Sequence, residues 1–309
     1  MKRILILTPD GVGSTLLQRS MCIFGNIHNF YINPHELTNG ITFDGDLLVK
    51  KYSLNYSQSL TDIINLLEQN KNNIIVRLAH YHLLRRNDSL QELNNFYNYL
   101  NNNFIIVSCH RKNILEYAMS WAIRNIKNTK NVYSFKEKYM IHPTNDKFEL
   151  DCNFIVDKCN QYQNYIYWVN DNFKTHSKFY YEDIEHIDAF ISDILECEQE
   201  LFYKKFHLTL TDFCLLSNKN ISELHFISKQ KFSSLYNILK FAEMLVKEKK
   251  MHNAIPLKMN SFNSKITKCT NFIDVIQSYN NWASHTNLYN TLSQNQLNNL
   301  ISEDIFSKY

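Results

Sequence analysis

Glycine and proline are scarce in this 309-residue chain, which contains only 5 Gly and 4 Pro. Because β-sandwiches and barrels use these residues at their many turns, the scarcity disfavours both folds. Charged residues make up 20% of the chain, carry both signs and leave a net charge of only +3. A general nucleic-acid-binding protein needs a concentrated basic surface, so no nucleic-acid partner is expected.

Long apolar runs and paired cysteines are also missing. No stretch approaches the roughly 18 apolar residues of a membrane span, and the short apolar run near the N-terminus is not a signal-peptide core. The seven cysteines include no Cys-x-x-Cys pair, which argues against a zinc ribbon or a redox dithiol. We therefore expect a soluble, cytoplasmic protein with reduced thiols, no metal and no membrane partner.

The first half of the chain alternates short apolar runs with helical patterns. Such alternation is typical of βαβ units and therefore of a parallel sheet. From Ile187 onward the pattern is mainly helical, most clearly over Lys231–Lys250. The predicted strands are 4–8, 29–33, 73–78, 104–108 and 176–181, and the predicted helices are 14–24, 61–69, 89–100, 113–126 and 156–173.

We expect a single α/β domain over residues 1–309. Its parallel sheet, flanked by helices, forms a core over 1–185, and a mainly helical extension over 186–309 packs on that core. No internal repeat or flexible linker interrupts this organisation. The sequence carries no signal for an oligomeric state.

A glycine-containing loop joins the first predicted strand to the first predicted helix. Such a junction presents backbone N–H groups at the positive end of a helix dipole, which suits a phosphate or sulfate. Gly11 and Gly13 let the backbone approach an anion closely. Ser14 and Thr15 can add hydroxyl donors. Taken alone, the loop is equally compatible with a plain structural turn.

An ATPase-type phosphate loop needs a Lys directly after its last glycine, where the ammonium group binds the outer phosphates. No Lys follows Gly13 in this chain. The loop therefore argues against an ATPase or kinase of that class.

A second anion-binding motif follows the fourth predicted strand. Arg111 stands at the carboxyl end of that strand, where open α/β sheets bind ligands. Ser120 follows nine residues later in the next helix. A chain that folds back there brings a guanidinium and a hydroxyl onto one phosphate. The alternative is that Arg111 lies in a solvated loop and Ser120 is an ordinary helical residue.

In this order and spacing, the two motifs resemble the PAPS-dependent sulfotransferase family, nearest to its bacterial trehalose and carbohydrate branch. Residues 8–17, TPDGVGSTLL, are similar to the family's 5′-phosphosulfate loop. Residues 111–121, RKNILEYAMSW, resemble its 3′-phosphate motif. Residues 180–184, YYEDI, resemble a Tyr-Glu-Asp-Leu segment that follows a late strand. The likeness covers residues 1 to about 190, with a vaguer likeness over Ile255–Trp282.

The resemblance implies a P-loop-like fold and transfer of a sulfuryl group from 3′-phosphoadenosine 5′-phosphosulfate (PAPS). The acceptor is a hydroxyl of a carbohydrate, glycan or small metabolite, and the product is 3′,5′-ADP. A sulfuryl group carries less charge than a γ-phosphoryl group, so no metal is implied. The resemblance assigns binding of PAPS to Gly11, Val12, Gly13, Ser14, Thr15, Leu16, Arg111, Ser120 and Tyr181.

The loop departs from the family pattern at Gly11, where a Lys or Arg usually contacts the sulfuryl group. Lys258 or Lys265 could replace that cation; otherwise the protein is slow or inactive. Two rival functions therefore stay open. One is a phosphotransferase with an unusual loop, and the other is a nucleotide-binding protein of the same fold that has lost catalysis.

Two residues match the family's alternative catalytic bases. Glu36 follows the second predicted strand, where the bacterial and tyrosyl-protein branches place a Glu. His80 follows the third strand, where the cytosolic phenol and steroid branch places a His. The motif at 111–121 resembles the Glu branch, so Glu36 is favoured. His80 has a second interpretation as a solvated strand-end residue, and a metal site with His82 lacks further ligands at suitable spacing.

Overall fold

The computed structural model describes part of the chain in detail. The helix predicted over Lys231–Lys250 lies outside the described residues, as do the candidate site residues Thr15, Leu16, Glu36 and Lys258. The described residues are 2–9, 11–14, 17–18, 21, 30–32, 37–38, 59–69, 73–127, 147–196, 262–286 and 291–293.

The chain divides into two compact units, and each unit combines two separate segments of the sequence. Unit 1 comprises Met1–His110 and Val169–Pro256, and unit 2 comprises Arg111–Trp168 and Leu257–Tyr309. The strands of the sheet belong to unit 1, and the named elements of unit 2 are helices. The expectation of one domain with a core over 1–185 stays a prediction.

Unit 1 is built on a five-stranded sheet in which every neighbouring pair of strands is parallel, in the order β2-β3-β1-β4-β5. The register pairs Thr8 of the central strand with Ala79 on one side, and Leu7 with Ser108 on the other. This confirms the α/β fold with a parallel sheet, and each strand end lies within two residues of its predicted position. The strands are β1 (Arg3–Thr8), β2 (Phe30–Ile32), β3 (Asn73–Ala79), β4 (Ile105–His110) and β5 (Ser177–Tyr180).

The central position of β1 explains its composition. All six of its residues are buried, and four consecutive ones, Ile4–Leu7, are aliphatic. When both faces of a parallel sheet are covered, a central strand has a continuous apolar sequence because neither of its faces is exposed to water.

Helices account for most of the remaining described residues, and no helix among them is long and apolar enough to cross a membrane. A capping box begins the helix after Ser89: its Oγ accepts the Glu92 N–H, and the Glu92 carboxylate accepts the Ser89 N–H. The helices are α1 (Leu60–Gln69), α2 (His80–Leu84), α3 (Leu90–Asn103), α4 (Ile114–Lys127), α5 (Cys152–Asn172), α6 (Ile187–Leu195), α7 (Phe262–Lys268) and α8 (Phe272–Ser284), with a 3₁₀ helix over Tyr181–His186.

Within unit 2, polar contacts join the C-terminal helices to the chain around the start of α5. The Asn271 side chain accepts the Leu150 N–H and donates to the Leu150 carbonyl, at 3.0 and 2.8 Å. The Trp282 Nε1–H donates to Asn160 Oδ1 at 2.8 Å. The described C-terminal residues are thus helical, as predicted, and these hydrogen bonds anchor α8 within its unit.

Deleting side-chain volume from the sheet provides a first test of this fold. Leu78 of β3 is 0% exposed, so Leu78→Ala should lower the free energy of unfolding by about 2–5 kcal/mol through lost burial and a residual cavity. Leu84 of α2 is 68% exposed and provides the matched control. Leu84→Ala should change stability by no more than about 0.5 kcal/mol. Urea denaturation measures both; equal losses would contradict the burial of Leu78 inside the sheet.

Candidate functional site

The loop after β1 requires glycine at two positions. Gly11 and Gly13 have φ angles of 71° and 74°, in the left-handed region that side chains with a Cβ rarely adopt. The Leu17 N–H donates to the Gly13 carbonyl at 3.0 Å and begins the helical segment that contains Ser14 and Gln18. The expected strand–loop–helix junction is therefore present in unit 1.

Ser14 is the polar centre of this junction. Its Oγ accepts a hydrogen bond from Thr8 Oγ1 at 2.9 Å and another from the Nη1 of Arg77 at 3.3 Å. All three residues are buried. The first residue of the helical segment is thus tied to the ends of two neighbouring strands, which fixes where the loop begins and ends.

Tyr181 packs directly on the loop. A Cβ placed on Gly13 would collide with the Tyr181 Cδ2 and come within 2.8 Å of its Cε2. Tyr181 is the first residue of the 3₁₀ helix that follows β5, so the YYEDI segment supplies the ring that covers the glycine. The sequence singled out both residues, and the structure brings them together.

Two buried imidazoles lie at the carboxyl ends of the strands on either side of β1. His80 begins α2 directly after β3, and His110 ends β4. Burial lowers the pKa of each from 6.5 to about 4, and the charge of Lys178 adds to the shift at His110. Both rings are therefore neutral near pH 7. His110 Nε2 also hydrogen-bonds Ser108 Oγ at 2.7 Å.

In unit 2, the second motif forms a buried cluster around Glu116. The guanidinium of Arg111 lies 2.9 Å from one carboxylate oxygen, and the ammonium group of Lys265 lies 2.7 Å from the other. Lys265 also donates to Ser120 Oγ at 2.8 Å, and that hydroxyl donates to the Glu116 carbonyl at 2.7 Å. Arg111 and Ser120, nine residues apart in sequence, thus meet through Glu116 and Lys265.

The backbone around Arg111 is held by neighbouring side chains. The Arg111 N–H donates to the Tyr162 hydroxyl at 2.7 Å, and that hydroxyl donates to the Arg111 carbonyl at 3.3 Å. Asn113 Oδ1 accepts the Glu116 N–H at 2.8 Å and caps the first turn of α4. The cap places Glu116 at the helix start, where the dipole favours a carboxylate.

Two cationic side chains share one carboxylate in this cluster. Arg111, Glu116 and Lys265 are all buried, and together these three side chains carry a net charge of +1. Lys265, which the sequence offered as a replacement cation for the glycine loop, therefore has its described contacts in the Arg111 cluster.

The predicted site residues within the described part of the chain fall into two groups. Gly11, Val12, Gly13, Ser14, Tyr181 and His80 belong to unit 1, and Arg111, Ser120 and Lys265 belong to unit 2. Sequence reasoning missed Arg77 and Glu116. A single arginine within an apolar strand was the available signal for Arg77. For Glu116, the signal was an acidic residue in the first turn after a basic pair.

Comparison with known proteins does not assign this chain to a family. No protein-family model matches the chain, and no curated protein sequence matches it significantly. Within the described residues, no group of three or more His, Cys, Asp or Glu side chains is arranged to hold a metal ion. The chemistry of the site must therefore be argued from its own residues.

The contact between Gly13 and Tyr181 generates a second prediction. Gly13→Ala should lower the free energy of unfolding by about 1–2 kcal/mol through left-handed backbone strain and by about 1–3 kcal/mol through overpacking against the ring. In a Tyr181→Ala background only the strain remains, so the cost of Gly13→Ala should fall. Urea denaturation of the two single variants and the double variant measures the difference. Strictly additive losses would show that the ring does not cover the glycine.

Proposed function

We propose that this chain transfers a sulfuryl group from PAPS to a hydroxyl group of a carbohydrate or small metabolite. The observation that carries the proposal is the buried cluster in unit 2. Arg111 and Ser120 are the residues that the family resemblance assigns to the 3′-phosphate, and both contact the pair of Glu116 and Lys265. A guanidinium and an ammonium group are suitable donors for a phosphate, and the Ser120 hydroxyl holds the ammonium group of Lys265 in place.

The glycine loop of unit 1 supports the other half of the proposal. Gly11 and Gly13 give the loop its left-handed turns, and Ser14 supplies a buried hydroxyl at the start of the helical segment. These features suit an anionic group such as a phosphate or a phosphosulfate. The Tyr181 ring packs against Gly13 in this loop.

Proton removal from the acceptor is the task left to the protein, because PAPS itself supplies the activated sulfuryl group. A general base must be unprotonated at the working pH and must lie close to the acceptor hydroxyl. His80 meets the first condition, since burial holds its pKa at about 4. Glu36, the favoured base by resemblance, lies outside the described residues.

We place the reaction in the cytoplasm as part of the same proposal. The four cysteines in the described part of the chain, Cys109, Cys152, Cys159 and Cys269, are all free thiols. Free, largely buried thiols are typical of a reducing compartment. The acceptor is a small molecule or a glycan precursor within that compartment.

Binding of 3′,5′-ADP tests the role of the Arg111 cluster. Arg111→Ala should weaken binding by about 1.5–3 kcal/mol, the scale of one charge-assisted hydrogen bond. Lys112→Ala is the matched control, because it deletes a positive charge from the exposed neighbouring residue. Isothermal titration calorimetry should show a much smaller effect for that variant.

The same titration with adenosine 5′-phosphate isolates the contribution of the 3′-phosphate. The wild-type protein should bind this nucleotide more weakly than 3′,5′-ADP, and Arg111→Ala should bind both about equally. If the wild-type protein binds the two nucleotides with equal affinity, Arg111 and Ser120 do not hold a 3′-phosphate.

A comparison of Glu36→Gln with His80→Asn identifies the base. Loss of a general base lowers the rate by about 10²- to 10⁴-fold while 3′,5′-ADP affinity stays nearly constant. We expect that loss for Glu36→Gln and a smaller one for His80→Asn, measured as initial rates with radiolabelled PAPS. The opposite ranking assigns the base to His80. In that case the pH profile of kcat/KM should fall only as the pH drops through about 4, where the imidazole gains its proton.

A further inference from the structure

A groove in unit 2 lies between helices α5 and α8. Its volume is about 280 Å³, at the small end of the range of ligand-binding pockets in proteins. The described residues that line it come from these two helices and from the chain directly after α8, and all of them belong to unit 2. The groove therefore has the size of a site for a small molecule.

Each helix lines the groove with side chains at helical spacing, which lie on one face of the helix. The stripe through which a helix packs on its neighbours is normally apolar. Here most of the side chains are amides, hydroxyls or imidazole, and no Asp, Glu, Lys or Arg is among the described lining residues. The stripes comprise Val156, Asn160 and Gln163 of α5, Ser278, Asn281 and Trp282 of α8, and His285 directly after α8.

The amide groups on the α5 side have hydrogen-bonding capacity to spare. Asn160 Oδ1 accepts the Trp282 Nε1–H at 2.8 Å. Because an indole N–H can only donate, this contact fixes the orientation of the amide, and its Nδ2 group makes no hydrogen bond within the described part of the chain. Gln163 Nε2 donates to the Tyr167 hydroxyl at 3.1 Å, and its Oε1 accepts none from the described residues. This side thus carries one available donor group and one available acceptor.

The α8 side adds further groups of both kinds. His285 Nδ1 donates to the Asn281 carbonyl at 2.6 Å. Since a carbonyl only accepts, Nδ1 carries the proton, and Nε2 of the neutral ring is an acceptor. The Asn281 amide and the Ser278 hydroxyl, which can both donate and accept, make no hydrogen bond with the described residues. Donors and acceptors are therefore mixed along the groove.

We propose that the groove between α5 and α8 binds a neutral sugar. Sugar hydroxyls both donate and accept and so match a mixed lining, whereas a phosphate dianion only accepts and an ammonium group only donates. A nucleobase also combines donors with acceptors, but proteins generally bind it by stacking on an aromatic ring. Trp282 is only 7% exposed and offers little ring surface for stacking. Sugar binding rests on the groove alone, and only the identification of that sugar as the sulfuryl acceptor rests on the proposed function.

Ligand-observed NMR titration of the full-length chain tests the groove directly. The probes are glucose, galactose, mannose and maltose, with adenosine as the nucleobase probe. Asn281→Ala and Gln163→Ala each remove one amide, and Ser278→Phe fills the groove. Asn164→Ala is the matched control, because Asn164 is an exposed asparagine of α5 that does not line the groove. Thermal melting establishes that each variant is folded.

The wild-type protein should bind at least one of these sugars. Asn281→Ala and Gln163→Ala should each weaken that binding about 2- to 12-fold, the scale of one neutral hydrogen bond. Asn164→Ala should bind like the wild-type protein. Ser278→Phe should abolish binding, because its ring takes the space of the ligand. If Ser278→Phe does not fold, the double variant Asn281→Ala/Gln163→Ala replaces it, with a loss larger than that of either single variant.

Several results would overturn the proposal: wild-type protein that binds none of the sugars, a loss in Asn164→Ala equal to that in Asn281→Ala, or undiminished binding by folded Ser278→Phe. Binding of adenosine and of no sugar would also overturn it and indicate a nucleobase site. A parallel titration with 3′,5′-ADP separates this inference from the proposed function. Protein that binds a sugar in the expected pattern but not 3′,5′-ADP would refute the sulfotransferase proposal alone, and the reverse result would refute the sugar site alone.

Discussion

Parallel pairing on both sides of β1 determines where the polar groups of unit 1 can lie. The strand is buried along its whole length, so its neighbours β3 and β4 must also present apolar residues over most of their course. Their carboxyl ends fall at one edge, because all the strands run in the same direction. The glycine loop and His80 follow those ends and His110 lies at one of them, so these candidate site residues of the unit share that edge.

Each unit contains buried charged side chains that are held by neighbouring polar or charged groups. In unit 1, Arg77 is compensated in part by the Ser14 hydroxyl, and in unit 2, Arg111 and Lys265 share the carboxylate of Glu116. Neither arrangement resembles an isolated surface ion pair, since the side chains are buried and held by further hydrogen bonds. Such arrangements cost desolvation energy, which the surrounding hydrogen bonds and ion pairs offset in part.

The sequence was sufficient for the five strands and for helices α1, α3, α4 and α5, because their signals are local. Apolar runs located β1, β3 and β4, and an amphipathic pattern located α3 and α4 within a few residues. The contacts of Lys265 with Ser120, and of Asn271 with Leu150, join residues more than a hundred positions apart and leave no local pattern. Arg77 was missed because one charged residue in an apolar run does not reveal which group it will face.

The most direct test of the account is a thermal-shift series with 3′,5′-ADP, ATP–Mg²⁺ and NAD at matched concentrations. A ligand present at about 100 times its Kd stabilises the folded state by about 2.7 kcal/mol, which is readily visible as a rise in Tm. The account predicts that 3′,5′-ADP raises Tm strongly and that the other two ligands do not. A rise with ATP–Mg²⁺ and none with 3′,5′-ADP would contradict it and indicate a phosphotransferase.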